Sequence, residues 1–104
     1  MAAQLEQILD TTEALVRAYA DLIRAGRPPV IDDSPLAEHV YAEETTEDGH
    51  LRLLLAGNGP TVHLDYNQGT QTAVLVGSGW SETAHRADDA HGSLAAFAAA
   101  YARR

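Results

Sequence analysis

Near the N-terminus, apolar side chains recur at spacings of three and four residues. Across residues 4–25 this period predicts an amphipathic helix, because it places the apolar positions on one face. Gly26 suits the position that follows a helix, and Pro28 and Pro29 cannot continue one. The inward positions of this helix are Leu5, Ile8, Leu9, Thr12, Leu15, Val16, Tyr19, Leu22 and Ile23.

Further along the chain, apolar and polar residues alternate, which predicts an antiparallel meander between residues 49 and 77. Strands are expected at 50–56, 61–66 and 71–76, with turns at 57–60 and 67–69. We expect Gly77, Ser78 and Gly79 to form a flexible joint, followed by an edge strand at 80–85. Trp80 is expected to close one end of the core, and the alternative is an aromatic hot spot of an interface. Short connections predict that successive strands are neighbours in the sheet.

Residues 35–44 are compatible with two local structures. Pro35 can begin a short helix that runs to residue 40. A strand at 39–44 is favoured, because the sequence TEDG at 46–49 is typical of a hairpin turn and leads into a clear strand. A short helical turn before that strand is compatible with it.

A second helix is predicted at about 89–103. Asp88 or Asp89 is the expected N-cap, since a carboxylate accepts hydrogen bonds from the free amides of the first turn. Leu94, Phe97 and Tyr101 form a one-sided stripe on this helix.

These elements predict one domain, residues 1–104, of the α+β class. A sheet with one leucine-rich face must cover it, and the two terminal helices are available to do so. We therefore expect a four- to five-stranded antiparallel meander with the N- and C-terminal helices packed on one face. Thr61, His63, Asp65 and Arg52 are expected on the other face, which tolerates water.

Composition excludes several chemistries. The net charge is -8, from 15 acids and 7 bases that are all arginine. Without cysteine there is no disulfide or thiol nucleophile, and without lysine there is no Schiff base. The negative charge disfavours nucleic acid and anionic membranes as partners. No apolar run is long enough to cross a membrane, so a cytoplasmic location is expected.

The charge is concentrated in residues 32–48, which we call the acidic segment. The rest of the chain has eight acids and seven arginines, so it is almost neutral. Such a field accelerates association with a basic protein, and Tyr41 is a candidate aromatic anchor. The alternative is a solvated edge that prevents the sheet from pairing with other chains. The acids of the segment are Asp32, Asp33, Glu38, Glu43, Glu44, Glu47 and Asp48.

Catalytic patterns are weak by comparison. His63 and Asp65 are two residues apart on one predicted strand, so they share a face and are candidates for an acid–base pair or a small-ligand site. Glu43 and Glu44 are adjacent in a strand and point to opposite sides, so they cannot share a site. The His and Asp residues at 85–91 double as the helix cap, and we predict no metal and no cofactor.

The pattern as a whole predicts a small, acidic, non-catalytic protein-binding module that inhibits, neutralises or chaperones a basic partner. In layout it is similar to small bacterial immunity proteins, which neutralise basic toxins, and to dimeric secretion chaperones. That likeness implies a toxin, a nuclease or a secreted effector as the partner. A homodimer, through the sheet edge or the alanine-rich helix face, is compatible with this layout.

Overall fold

The computed structural model describes residues 2–57 and 59–103, with side chains from residue 4 onward. Asn58, within the predicted turn at 57–60, lies outside the described residues. The helices are α1 (Ala2–Arg24) and α2 (Ser93–Arg103), and a 3₁₀ turn covers Leu36–His39. The strands are β1 (Val30–Ile31), β2 (Ser34–Pro35), β3 (Ala42–Thr45), β4 (His50–Ala56), β5 (Thr61–Asn67), β6 (Thr72–Gly79) and β7 (Glu82–Ala87).

The predicted α+β architecture is confirmed. The strands β3 to β7 form a five-stranded antiparallel meander in chain order, and β1 and β2 form a separate small hairpin. One row of directly paired residues crosses the large sheet, with its side chains on the side of the helices. The row consists of Glu43, Leu53, Leu64, Leu75 and Arg86. The three leucines are fully buried. The two ends of the row reach α2 and α1 respectively, so both helices cover the same face.

The end of α1 agrees with the sequence prediction. Gly26 has a φ of +72°, a conformation that glycine adopts without the steric cost of a Cβ. The amide of Gly26 donates to the carbonyl of Ile23, and the amide of Arg27 donates to that of Leu22. These two bonds form the Schellman motif that commonly terminates helices.

The start of α2 differs from the prediction, since the helix begins at Ser93 rather than at residue 89. Gly92 has a φ of +66° and interrupts the helical path. The carboxylates of Asp88 and Asp89 nevertheless cap the helix from outside it: Asp89 accepts from the amide of Ser93, and Asp88 from those of Leu94 and Ala95. The capping residues were therefore predicted correctly, but the first helical residue was not.

The prediction of a flexible joint at 77–79 is wrong, because these residues belong to β6. A Cβ on Gly77 would lie 3.0 Å from Cδ1 of Leu5, so glycine at this position lets α1 approach the sheet closely. The chain instead reverses at Trp80 and Ser81, whose φ angles are +52° and +63°. Trp80 lies in this tight hairpin turn and is 42% exposed, so it does not close the core.

The helix and the strand predicted within residues 35–44 are both present in part. The helical alternative appears as the 3₁₀ turn at Leu36–His39, and the strand follows it as β3. β3 forms the edge of the large sheet, and all four of its residues are exposed. No helix within residues 2–57 and 59–103 combines the length and the apolarity needed to span a bilayer.

Candidate protein-binding site

The first acids of the segment lie in the small hairpin and the 3₁₀ turn. Asp32 and Asp33 form the turn between β1 and β2, with φ angles of +49° and +65°. Aspartate tolerates this left-handed conformation better than most residues. Glu38 follows in the 3₁₀ turn, and all three side chains are exposed.

Tyr19 of α1 holds this part of the chain in place. Its hydroxyl donates a 2.6 Å hydrogen bond to the carbonyl of Ser34, and its ring lies 5.3 Å from that of His39. Burial raises the pKa of Tyr19, and the negative charges of Glu38 and Asp32 raise it further. These two carboxylates therefore lie close enough to act electrostatically on the same hydroxyl, although they come from different elements.

Glu43 and Glu44 lie side by side on β3 and point to opposite sides of the sheet, as predicted. The carboxylate of Glu43 accepts a 3.1 Å hydrogen bond from the hydroxyl of Tyr101 in α2. The carboxylate of Glu44 is on the uncovered face, where it lies 3.9 Å from a guanidinium nitrogen of Arg52. The edge strand thus presents negative charge on both of its sides.

Glu47 and Asp48 occupy the turn between β3 and β4. The hydroxyl of Thr46 accepts a 3.1 Å hydrogen bond from the amide of His50, and Gly49 closes the turn with a φ of +79°. Both acidic side chains are exposed at its tip.

The arginines of the described chain mostly pair with acids outside the acidic segment. Arg86 on β7 contacts three carboxylates of α1, those of Glu6, Asp10 and Glu13. Arg17 lies within 4 Å of Glu13 and Asp89, and Arg24 within 2.5 Å of Asp21. Within the described residues, by contrast, no arginine pairs with the following five acids of the segment: Asp32, Asp33, Glu38, Glu47 and Asp48.

The uncovered face of the sheet arranges its polar groups differently from the pair expected between His63 and Asp65. The carboxylate of Asp65 lies 3.2 Å from Nδ1 of His50, diagonally across β4 and β5, and 3.9 Å from Arg52. His63 lies in register between Leu54 and Val76. Asp65 is therefore paired with His50, a contact that depends on strand register rather than on spacing within one strand.

A groove that sequence reasoning missed lies beside Tyr41, and we call it the Tyr41 groove. One part of it, about 500 Å³ in volume, lies between α1 and the end of β4, and a second part of similar volume continues around that end to Tyr41. Tyr41 is 69% exposed and its amide donates to the carbonyl of Leu54. The lining residues of both parts are Gln7, Ile8, Thr11, Thr12, Leu15, Tyr41, Leu54, Leu55, Ala56, Gly57 and Pro60.

The groove exists because β4 is longer than β3. β3 begins at Ala42, which lies opposite Leu54, so Leu55 and Ala56 at the end of β4 have no β3 residue opposite them. A register irregularity between Leu54 and Ala56 also places Ala56 opposite the buried Val62, on the side of the helices. The small Ala56 side chain leaves space there against α1.

Among the described residues, no group of three or more histidine, aspartate or glutamate side chains is placed to hold a metal ion. The two aspartates at 88 and 89 instead accept hydrogen bonds from α2. The candidate site combines the acidic segment with the adjoining Tyr41 groove. In comparisons with protein-family models, curated proteins and solved structures, none was found to match this chain.

Proposed function

We propose that this chain is a non-catalytic protein-binding module whose acidic segment binds a basic partner protein. The observation that carries the proposal is the distribution of ion pairs. Arg86, Arg17 and Arg24 contact carboxylates outside the segment, while most of the segment has no cation beside it in the described structure. The charges of these five acids, Asp32, Asp33, Glu38, Glu47 and Asp48, are therefore available to an external partner.

Physical chemistry favours this use of the segment. Exposed carboxylates of one sign raise the rate at which a positively charged protein arrives, and they disfavour acidic competitors. A row of charges on an edge strand also prevents the sheet from pairing with unrelated strands. The two effects are compatible, since the same side chains repel acidic strands, lose hydration when a neutral strand pairs with them, and attract a basic strand.

The activity that fits this surface is inhibition, neutralisation or chaperoning of the partner. A toxin, a nuclease or a secreted effector with a basic cleft fits well, because a cleft built to hold phosphate groups also attracts carboxylates. A cytoplasmic location is part of the same proposal.

The test begins with capture of partners from a low-salt lysate, followed by calorimetric titration of the purified captured protein. The double variant Glu47→Gln/Asp48→Asn is expected to weaken binding about tenfold and to reduce its salt dependence. Adding Glu38→Gln and Glu44→Gln is expected to weaken it further.

Asp21→Asn/Glu82→Gln is the matched control, because it removes two charges outside the segment. It is expected to change the affinity less than twofold. The proposal is contradicted if both double variants lower the affinity equally, or if neither variant changes the affinity or its salt dependence. A captured partner without a basic surface would also contradict it.

A further inference from the structure

We propose that the Tyr41 groove receives a large apolar side chain from an extended, basic segment of the partner. This inference rests on the proposed function, since the same partner supplies the charge. It adds a second kind of recognition, in which an apolar anchor is fixed beside a charged edge. The anchor is an aromatic or branched aliphatic side chain, and arginine or lysine occupies the positions two residues before and after it.

The shape and chemistry of the groove favour an apolar occupant. Ile8 and Leu15 of α1 form one wall, and Leu55 and Ala56 of β4 form the other. Leu15 and Ile8 are only partly buried, although they belong to the apolar face of α1. A side chain that entered the groove would remove these apolar groups from water, which stabilises a complex roughly in proportion to the area covered.

The groove is continuous with the acidic edge. Leu54 lines the Tyr41 groove and also lines a neighbouring depression that includes Glu43, Glu44 and Arg52. Tyr41 and Glu43 are two residues apart, so their side chains start about 7 Å from each other along an extended chain. When the apolar residue of an extended partner segment lies beside Tyr41, a basic side chain two residues away therefore reaches the level of Glu43 and Glu44.

The backbone of the edge also suits an extended partner. β3 is the first strand of the sheet, and no strand of the described chain lies on its outer side. Its four residues are exposed, and β4 continues two residues beyond it. Addition of a strand to such an edge is a common way to bind an extended segment, with side-chain pockets providing the specificity.

A second copy of this chain fits the groove less well than a basic segment does. Each copy carries a net charge of -8, and the acidic segments of two copies would approach each other at this edge. We therefore assign the groove to a partner of opposite charge.

The test uses two short synthetic peptides in which arginine and threonine alternate. The peptides are identical except for the central residue, which is phenylalanine in one and glycine in the other. At low salt we expect the phenylalanine peptide to bind about tenfold more tightly in calorimetry. In NMR titrations we expect both peptides to change the amide chemical shift of Glu44. Only the phenylalanine peptide is expected to change the methyl chemical shifts of Ile8 and Ala56.

Two variants close the groove and one serves as the matched control. Ala56→Leu fills the space directly, and Thr11→Gln narrows it from an exposed position on α1. Both are expected to reduce the advantage of the phenylalanine peptide to less than twofold. Ala87→Leu adds the same side chain at an exposed position on the opposite edge strand and is expected to preserve the full advantage.

The outcomes separate the two proposals. Equal affinity for both peptides, together with weaker binding of both to Glu47→Gln/Asp48→Asn, would overturn the proposed role of the Tyr41 groove. It would still support the acidic segment as the binding surface. If Glu47→Gln/Asp48→Asn leaves the affinities of both peptides unchanged, the proposed role of the acidic segment is overturned as well. Self-association of the protein that sedimentation velocity detects and that Ala56→Leu abolishes would assign the groove to a second copy, and would also overturn the inference.

Discussion

The hydroxyl of Tyr101 donates a 3.1 Å hydrogen bond to the carboxylate of Glu43, and this contact joins the last helix to the edge strand. Tyr101 is buried except for 6% of its surface, while Glu43 is exposed on the strand. α2 therefore contacts β3 at the point where the acidic segment is part of the sheet.

Removal of this hydroxyl tests how much the contact stabilises the edge. Tyr101→Phe is expected to lower the free energy of unfolding by about 1 kcal/mol, because a hydrogen bond to a charged carboxylate is lost while the ring is kept. Urea denaturation measures this change. In a double-mutant cycle with Glu43→Gln we expect the two effects to be non-additive. Strict additivity would show that the contact does not contribute to stability.

Capping of α2 by Asp89 predicts a dependence of stability on pH. Hydrogen bonds from the amide and the hydroxyl of Ser93 lower the pKa of Asp89 from 3.8 to about 2. The folded protein therefore keeps this carboxylate charged at pH values where the unfolded chain protonates it. The stabilisation is fully present above about pH 4, and it is lost as the pH falls through about 2.

Asp89→Asn is expected to lower the free energy of unfolding by about 1 kcal/mol at neutral pH. The difference from the wild type should shrink as the pH falls from 4 towards 2, as measured by denaturation at several pH values. Asp33→Asn is the control, since Asp33 lies in an exposed turn, and it is expected to change stability by less than about 0.5 kcal/mol. A constant difference across this pH range would contradict the assigned role.

Arg86 joins the last strand to the first helix through three carboxylates. Its side chain is 23% exposed, and the hydrogen bonds to Glu6 and Asp10 raise its pKa. Arg86→Met is expected to lower the free energy of unfolding by about 1–2 kcal/mol, because the three carboxylates of Glu6, Asp10 and Glu13 then repel one another without a cation.

Arg27→Met is the matched control for this variant. Arg27 is exposed and forms no ion pair with a described residue. Thermal and urea denaturation should separate the two variants clearly, and the separation should narrow at high salt. Equal effects of the two substitutions would show that the cluster around Arg86 does not stabilise the fold.

Gly77 tests the close packing of α1 on the sheet. The added Cβ of Gly77→Ala would lie 3.0 Å from Leu5 and 3.2 Å from Leu9, so these leucines must move. We expect the free energy of unfolding to fall by about 1–2 kcal/mol, as in other overpacked cores. Gly57→Ala, whose Cβ would lie 3.7 Å from Leu54, is the control and is expected to be close to neutral. A neutral Gly77→Ala would contradict the packing argument.

Local and periodic features were readable from the sequence. The spacing of Leu5, Leu9 and Val16 predicts an amphipathic helix, and alternation at 50–56 and 61–66 predicts neighbouring strands, because each pattern reflects a single buried face. Gly26 and the acids at 88 and 89 were predicted as caps for a similar reason, since capping is decided within one helical turn. The concentration of acids in residues 32–48 also needs no structure to be seen.

Tertiary structure decided which groups meet. Arg86 contacts Glu6 across 80 residues of sequence, and Asp65 pairs with His50 through strand register rather than with its neighbour His63. The Tyr41 groove depends on the lengths of two paired strands and on the irregularity at Leu54 and Ala56, and neither leaves a periodic signal. These contacts depend on the packing of distant elements, whereas the helices and strands arise from the order of residues within each element.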